Sequence, residues 1–234
     1  MENNSNIGKV TFMLACVAGY CDTVTFISGD AIFSAHVTGN FIVFAAQAVA
    51  GSNAETWIKL LTFPIFVVAV VIGGWMAGQP EKRYKLLLAE AILMLLSGLG
   101  AIALPQLGYS GEKFCLYLIV MTVVFAMGLQ NAFGKLFARE THGPTTMMTG
   151  NVTQASLDIG ELLRNGFSMG SAAWQSLKKQ FSTIGGFLSG CLAGALLSKI
   201  WGLPVLCLPG LLLLICYLFG QKEESAVEVK QEMT

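Results

Sequence analysis

The sequence predicts an all-α, polytopic transmembrane bundle with about six spanning helices, two further short or re-entrant helices, and an inverted internal repeat. Three observations predict it: a charge-poor, apolar composition, eight separate apolar runs, and a Thr-Gly-Asn signature that occurs twice in matching surroundings.

Composition sets the solvent. Of 234 residues, 54% are hydrophobic and 12% are charged, and the mean hydropathy is +0.65. A soluble domain carries about a quarter of its residues as charges, so the deficit here must face hydrocarbon. The formal net charge is zero, and no basic field points to nucleic acid. The expected partners are the lipid bilayer and a small-molecule solute. Cys16, Cys21, Cys115, Cys191, Cys207 and Cys216 all lie in or beside apolar runs without CxxC spacing, and they read as packing residues rather than disulfides or metal ligands. His36 and His142 are too few for a metal site, which asks for three or four ligands. No metal and no cofactor is expected.

A polar stretch, residues 1–9, precedes the first apolar run at 10–27. Further runs follow at 41–50, 57–78, 86–104, 114–133, 147–163, 181–200 and 203–219. A hydrocarbon core about 30 Å thick needs about 20 helical residues, so six runs are long enough or nearly so. The exceptions are 41–50, which is too short, and 147–163, which is too polar. Residues 162–179 read as an amphipathic helix or loop, and residues 221–234 as a polar, disordered tail.

Both exceptional runs open on the same tripeptide, Thr38-Gly39-Asn40 and Thr149-Gly150-Asn151. Before them, Gly19-Tyr20-Cys21-Asp22 closes the first run and Gly128-Leu129-Gln130-Asn131 closes the fifth. Seven residues after each asparagine comes another polar side chain, Gln47 and Asp158. Each half then enters a glycine-bearing span, with Gly74 and Gly78 in one and Gly186, Gly190 and Gly194 in the other. The order of matches divides 10–220 into two repeats, about 10–104 and 114–220, within a single transmembrane domain. The glycine ladders let helices approach closely, either within the chain or between copies in a homo-oligomer.

Basic residues orient the halves, because they accumulate in cytoplasmic loops. If the two Thr-Gly-Asn segments enter and return without crossing, Lys9, Lys82, Arg83, Lys85, Lys135, Arg139, Arg164, Lys178, Lys179, Lys222 and Lys230 share the cytoplasmic side with both termini. Only Lys59, Lys113 and Lys199 fall outside. Eight full crossings would split the same residues far more evenly. Three crossings per half is an odd number, so the second half enters the membrane upside down.

The Gly-Tyr-x-Asp of residues 19–22, the His-x-Thr-Gly-Asn of residues 36–40, the Gly-Leu-Gln-Asn of residues 128–131 and the Thr-x-x-x-Thr-Gly-Asn of residues 145–151 resemble the YoaK-like bacterial inner-membrane proteins, a domain family of unknown function. The resemblance runs from about residue 8 to residue 220. It implies a multi-pass location in the bacterial inner membrane and about six helices, and it implies no substrate or reaction. Where the family typically has Gly-Tyr-Val-Asp-Ala, this chain has Gly19-Tyr20-Cys21-Asp22-Thr23.

Non-helical backbone at membrane depth survives only when it is buried in protein or faces a water-filled cavity. Two inverted half-helices would present their N-termini to a polar or anionic solute. The expected solute site is therefore Thr38, Gly39, Asn40, Thr149, Gly150 and Asn151, with Gln130 and Asn131 beside it. Asp22, His36 and Asp158 are the candidates for a proton or coupling ion, since intramembrane carboxylates are costly and usually functional. The expected function is a secondary transporter or channel-like facilitator of a small polar or anionic solute. No HExxH or GxSxG motif appears, so enzymatic activity is not expected. The alternatives are an intramembrane enzyme that uses Asp22 and His36, and a membrane scaffold or sensor.

Overall fold

The structure is a computed structural model, and it describes residues 2–51, 55–78, 84–109, 111–138, 141, 143 and 145–218. These residues form helices α1 (Glu2–Ser28), α2 (Gly39–Gly51), α3 (Ile58–Met76), α4 (Lys85–Gln106), α5 (Lys113–Leu136), α6 (Met148–Asn165) and α7 (Ala172–Trp201). The last helix, α8 (Leu203–Leu218), opens with a 3-10 turn at Leu203–Leu206. No strand occurs among the described residues.

Five stretches are long and apolar enough to cross a membrane: Ile7–Ser28, Ile58–Met76, Lys85–Gln106, Lys113–Leu136 and Ala172–Trp201. The eighth helix, expected as the sixth span, is apolar but shorter over its described residues. Gly202 (φ 67) ends α7, and Pro204 confines the start of α8 to a tight turn. Two other boundaries differ from expectation. The polar stretch before residue 10 belongs to α1, which starts at Glu2. Much of 162–179 belongs to α7, whose first turn is capped by the Ser171 hydroxyl accepting from the Trp174 amide at 3.2 Å. The tail and Lys82, Arg83, Arg139 and His142 lie outside the described residues.

α7 shows how composition directs packing. Gly186, Gly190, Gly194 and Ser198 recur every fourth residue and are buried, whereas Leu188, Leu192, Leu196 and Ile200 on another face are 58–68% exposed. The small face receives α1: a Cβ at Gly186, Gly190 or Gly194 would run into the backbone of Phe12, Cys16 or Tyr20. The leucine face is left for lipid, as expected where close backbone approach and not a hydrophobic drive joins the helices. The ladder is thus filled from within the chain and is not open to a second copy. In the first half the packed residue is Gly73, against Ala132 of α5. Gly74, expected in that role, has nothing near it.

Contacts also fix direction. Gly186, Gly190 and Gly194 meet Phe12, Cys16 and Tyr20 in ascending order, so α1 and α7 run parallel. Gly128 meets Phe66 and Ala69 while Gly73 meets Ala132, so α3 and α5 run parallel as well. Gly98 meets Cys207 and Gly210 meets Leu95 and Ala91, which makes α4 and α8 antiparallel. α1 opposes α5, because Gly29 lies against Val120 while the Gln130 amide donates to the Leu14 carbonyl at 2.8 Å. α1 also opposes α8, through Tyr20 to the Val205 carbonyl at 3.1 Å and Cys216 to Met13 at 3.9 Å. The main contacts pair off with the halves exchanged: α1 on α7 mirrors α5 on α3, α1 on α8 mirrors α5 on α4, and α1 meets α5, as α4 meets α8, head to tail. This is the geometry of two units related by a two-fold axis in the membrane plane.

The buried core at the centre includes Leu14, Val17, Val24, Met94, Met127 and Phe133. Outward-facing residues such as Val68, Leu99, Leu118 and Leu196 are 51–67% exposed. Trp57, Trp75 and Trp201, 60–79% exposed, sit at helix ends, where indoles favour the membrane interface. The protein is membrane-embedded. All six cysteines are free thiols.

Candidate functional site

The site begins where α1 stops. After Ser28 the chain reverses through Asp30 (φ 62) and Ala31 (φ 52), both left-handed, a conformation that costs an L residue roughly 1–2 kcal/mol. The reversal is held at Asp30, whose carboxylate pairs with the ammonium of Lys59 and accepts from the Tyr117 hydroxyl at 2.9 Å. Lys59 is itself 1% exposed, and Asp30 supplies its counter-charge.

Residues 32–38 then run back along α1 as far as Asp22, six residues short of the helix end. At 1.5 Å per residue that is a descent of about 9 Å. Asp22 catches the loop. Its Oδ1 accepts from the Ala35 amide at 2.5 Å, the His36 amide at 3.2 Å and the Ser34 hydroxyl at 3.4 Å. Its Oδ2 lies 2.5 Å from His36 Nδ1. The carboxylate is 4% exposed and is satisfied by donors from one short loop. An ionised carboxylate only accepts, so the imidazole donates from Nδ1 and turns Nε2 outward.

α2 starts at this depth. Its first amides, of Gly39, Asn40 and Phe41, already donate to the carbonyls of His36, Val37 and Thr38 at 2.8–3.2 Å. Asn40 is fully buried, and its whole amide is committed: Oδ1 accepts from Phe33 N at 2.8 Å, and Nδ2 donates to Phe33 O at 2.8 Å and to Thr62 Oγ1 at 3.0 Å. The expected solute ligand Asn40 is therefore a clamp that replaces a strand partner for Phe33. Asn40→Ala is expected to lower stability by about 2–4 kcal/mol, since it strands a buried amide and carbonyl at about 1–3 kcal/mol each; thermal unfolding in detergent micelles would measure it.

The second half repeats the device with neutral groups. Asn131, the counterpart of Asp22, donates to Thr146 Oγ1 at 2.9 Å, and Gln130 donates to Thr145 Oγ1 at 2.9 Å. These bonds pull the loop before α6 back to five or six residues short of the end of α5. Thr149 and Gly150 are exposed on the first turn of α6, and the Asn151 amide makes only a 4.0 Å contact with Met148 Sδ. Asp158 is 4% exposed; it accepts from Gln154 at 2.8 Å, and its other oxygen has no partner among the described residues.

A cavity of about 600 Å³ opens beside the first loop. Its polar lining is Asp22, Thr23, His36 and Thr38, and its apolar lining includes Phe26, Phe33, Phe187 and Cys191. Phe26 and Phe33 stack at 4.7 Å, and Phe187 meets the His36 ring edge-on at 5.4 Å. Of the expected solute-site residues Thr38 and Gly39 line it, together with Asp22 and His36, expected to carry a proton or coupling ion. Thr149, Gly150, Asn151, Gln130, Asn131 and Asp158 do not line it, and Asn40 sits behind it. The two Thr-Gly-Asn segments thus start at separate, shallow depths, because each loop is caught by its own preceding helix before it reaches the middle. Among the described residues, no three His, Cys, Asp or Glu side chains gather as metal ligands.

With both loops in place, residues 10–219 match the family model described as Protein of unknown function (DUF1275). The chain belongs to that family. No curated protein and no solved structure matches it. The DUF1275 match covers both re-entrant units and the α7 face that closes the cavity. Phe187 and Cys191 could not be found from sequence, since nothing local says that α7 lies on α1. Glu90, wholly buried in α4, was within reach as the one acid inside the run 86–104.

Proposed function

We propose that the chain is a transporter or facilitator for a small polar solute, taken up in the cavity between α1, the 29–38 loop, α2 and α7. The observation that carries this reading is the Asp22–His36 pair at 2.5 Å inside a re-entrant loop that opens on a cavity of about 600 Å³. A bilayer protein keeps irregular backbone at depth only for a buried or watered purpose, and here the loop ends on a space large enough for a small molecule. No lysine or arginine lines that space, and the first amides of α2 are bonded within the chain. A neutral polar solute with a flat apolar face therefore suits it better than an anion: His36 Nε2, Thr23 and Thr38 offer hydrogen bonds, and the phenylalanines offer ring faces.

The preferred setting is the bacterial inner membrane. Lys9, Lys85, Lys135, Arg164, Lys178 and Lys179 lie at or near one end of the helices, and Lys59, Lys113 and Lys199 at the other, which favours cytoplasmic termini. The chain is read as acting without covalent chemistry. The Asp22–His36 pair also fits an intramembrane acid–base enzyme, and product formation in detergent without a gradient would favour that alternative.

The test is release from proteoliposomes loaded with a mixture of nucleobases, aromatic acids, sugars and amino acids, followed by mass spectrometry. At least one class is expected to leave faster than from protein-free vesicles, and His36→Ala is expected to cut that rate tenfold or more. A panel that leaks no faster than protein-free vesicles, or a rate indifferent to His36→Ala, would reject the proposal.

A further inference from the structure

Glu90 is wholly buried, and neither of its carboxylate oxygens meets a hydrogen-bond partner among the described residues. Its depth follows from its neighbours. Cys21 of α1 touches Met94 at 3.8 Å, one turn beyond Glu90. α1 and α4 both oppose α8, so they run the same way, and Glu90 is level with Val17 of α1, inside the span Lys85–Gln106 and five residues past its start. On the other side Gly210 of α8 packs on Leu95 and Ala91, the latter the next residue along α4. Cys21 from α1 and Cys216 from α8 are titratable groups within electrostatic reach. Each thiol is turned to a methionine sulfur, Met94 and Met13. Asp22, next along α1, is spent on its loop. No lysine, arginine or histidine among the described residues pairs with Glu90.

A carboxylate wholly buried within a span with no cation and no donor is not stable as an ion. An un-ionised carboxyl in this place would likewise lack an acceptor for its hydroxyl, so the packing satisfies neither form. The adjoining seam is made of close backbone contacts: Gly98 against the backbone of Cys207, and Gly210 against that of Leu95 and Ala91. Small residues at this seam let the two backbones approach closely.

We propose that Glu90 is a proton-binding site, loaded in the arrangement described here and discharged to water when the α4–α8 seam opens. The step transfers one proton. The Glu90 O–H bond breaks, a water molecule takes the proton, and the carboxylate that remains is reprotonated from whichever side then faces it. The site lies behind α1 from the solute cavity, and it does not depend on that cavity: a chain that released no solute would still titrate at Glu90.

Infrared difference spectroscopy of the full chain in phosphatidylethanolamine and phosphatidylglycerol vesicles, paired with dicyclohexylcarbodiimide labelling read by mass spectrometry, tests the proposal. The carbonyl band of an un-ionised carboxylic acid is expected to shift in D2O, to disappear as pH rises and to be missing in Glu90→Gln. The wild-type chain, which needs no variant to fold, should carry the carbodiimide adduct on Glu90 and lose it at alkaline pH. A band that neither exchanges nor titrates would mark an inert core acid and overturn the proposal. So would a wild-type chain left unlabelled at Glu90 at every pH.

Discussion

Asp22→Ala is expected to abolish solute release and to lower stability by about 3–5 kcal/mol. The carboxylate is 4% exposed and gathers the Ala35 amide, the His36 amide, the Ser34 hydroxyl and the His36 ring. Its removal leaves two backbone amides without an acceptor in a place water reaches poorly, at about 1–3 kcal/mol each, and frees the imidazole. The loop would lose its attachment to α1, and the cavity would lose one wall. Asp22→Asn separates the structural part from the functional one. The asparagine oxygen still accepts both amides, so the stability loss should shrink to about 1–2 kcal/mol. Its NH2, however, must face His36 Nδ1, which then has to accept, and the ring proton moves to Nε2 on the cavity side. Release should therefore fall in Asp22→Asn even where thermal unfolding is nearly normal. The decisive comparison is the unfolding midpoint beside the release rate for both variants. Release by Asp22→Asn at the wild-type rate would show that the tautomer of His36 has no bearing on the solute.

The same pair shows how far the sequence could be read. Asp22 and His36 were legible because a carboxylate near the end of an apolar run and a histidine before Thr-Gly-Asn are rare enough to stand out, and the repeat was legible because four short matches kept their order. Direction followed, since an odd number of crossings per half forces inversion. What Asn40 does was not legible. Its partners are the backbone of Phe33 and the hydroxyl of Thr62, and the first exists only after the chain has turned at Asp30 and Ala31; Ser28-Gly29-Asp30 signals the turn but not which later residue the returning chain meets. The failure of the two Thr-Gly-Asn segments to share one cavity has a related cause: loop depth is set by where Asp22 and Asn131 catch their donors and acceptors, a matter of tertiary distance. Lys59 counts in the sequence only as a basic residue on the outer side, because nothing in its neighbourhood announces Asp30, 29 residues earlier, as its partner.

Gly190→Ala is expected to destabilise the fold by about 2–3 kcal/mol, and Gly190→Leu to prevent recovery of folded protein. Alanine is the better helix former by about 1 kcal/mol, so propensity alone predicts the opposite sign. Packing decides. A Cβ at Gly190 would fall onto the carbonyl of Cys16, with the Cys16 Cα close behind, and backbone cannot swing aside as a side-chain tip can. α1 and α7 would have to separate over the whole ladder, which loosens the neighbouring contacts of Gly186 with Phe12 and of Gly194 with Tyr20; overpacking of this kind costs about 1–3 kcal/mol. Gly185 is the control on the same helix, since it is exposed and its Cβ would meet nothing. Gly185→Ala should be neutral or stabilising by up to about 1 kcal/mol. Unfolding of the three proteins by dodecyl sulfate in mixed micelles gives the comparison directly. Equal midpoints for Gly185→Ala and Gly190→Ala would mean that α7 does not lie on α1. The cavity wall supplied by Phe187, on that same stretch of α7, would then have to be placed elsewhere.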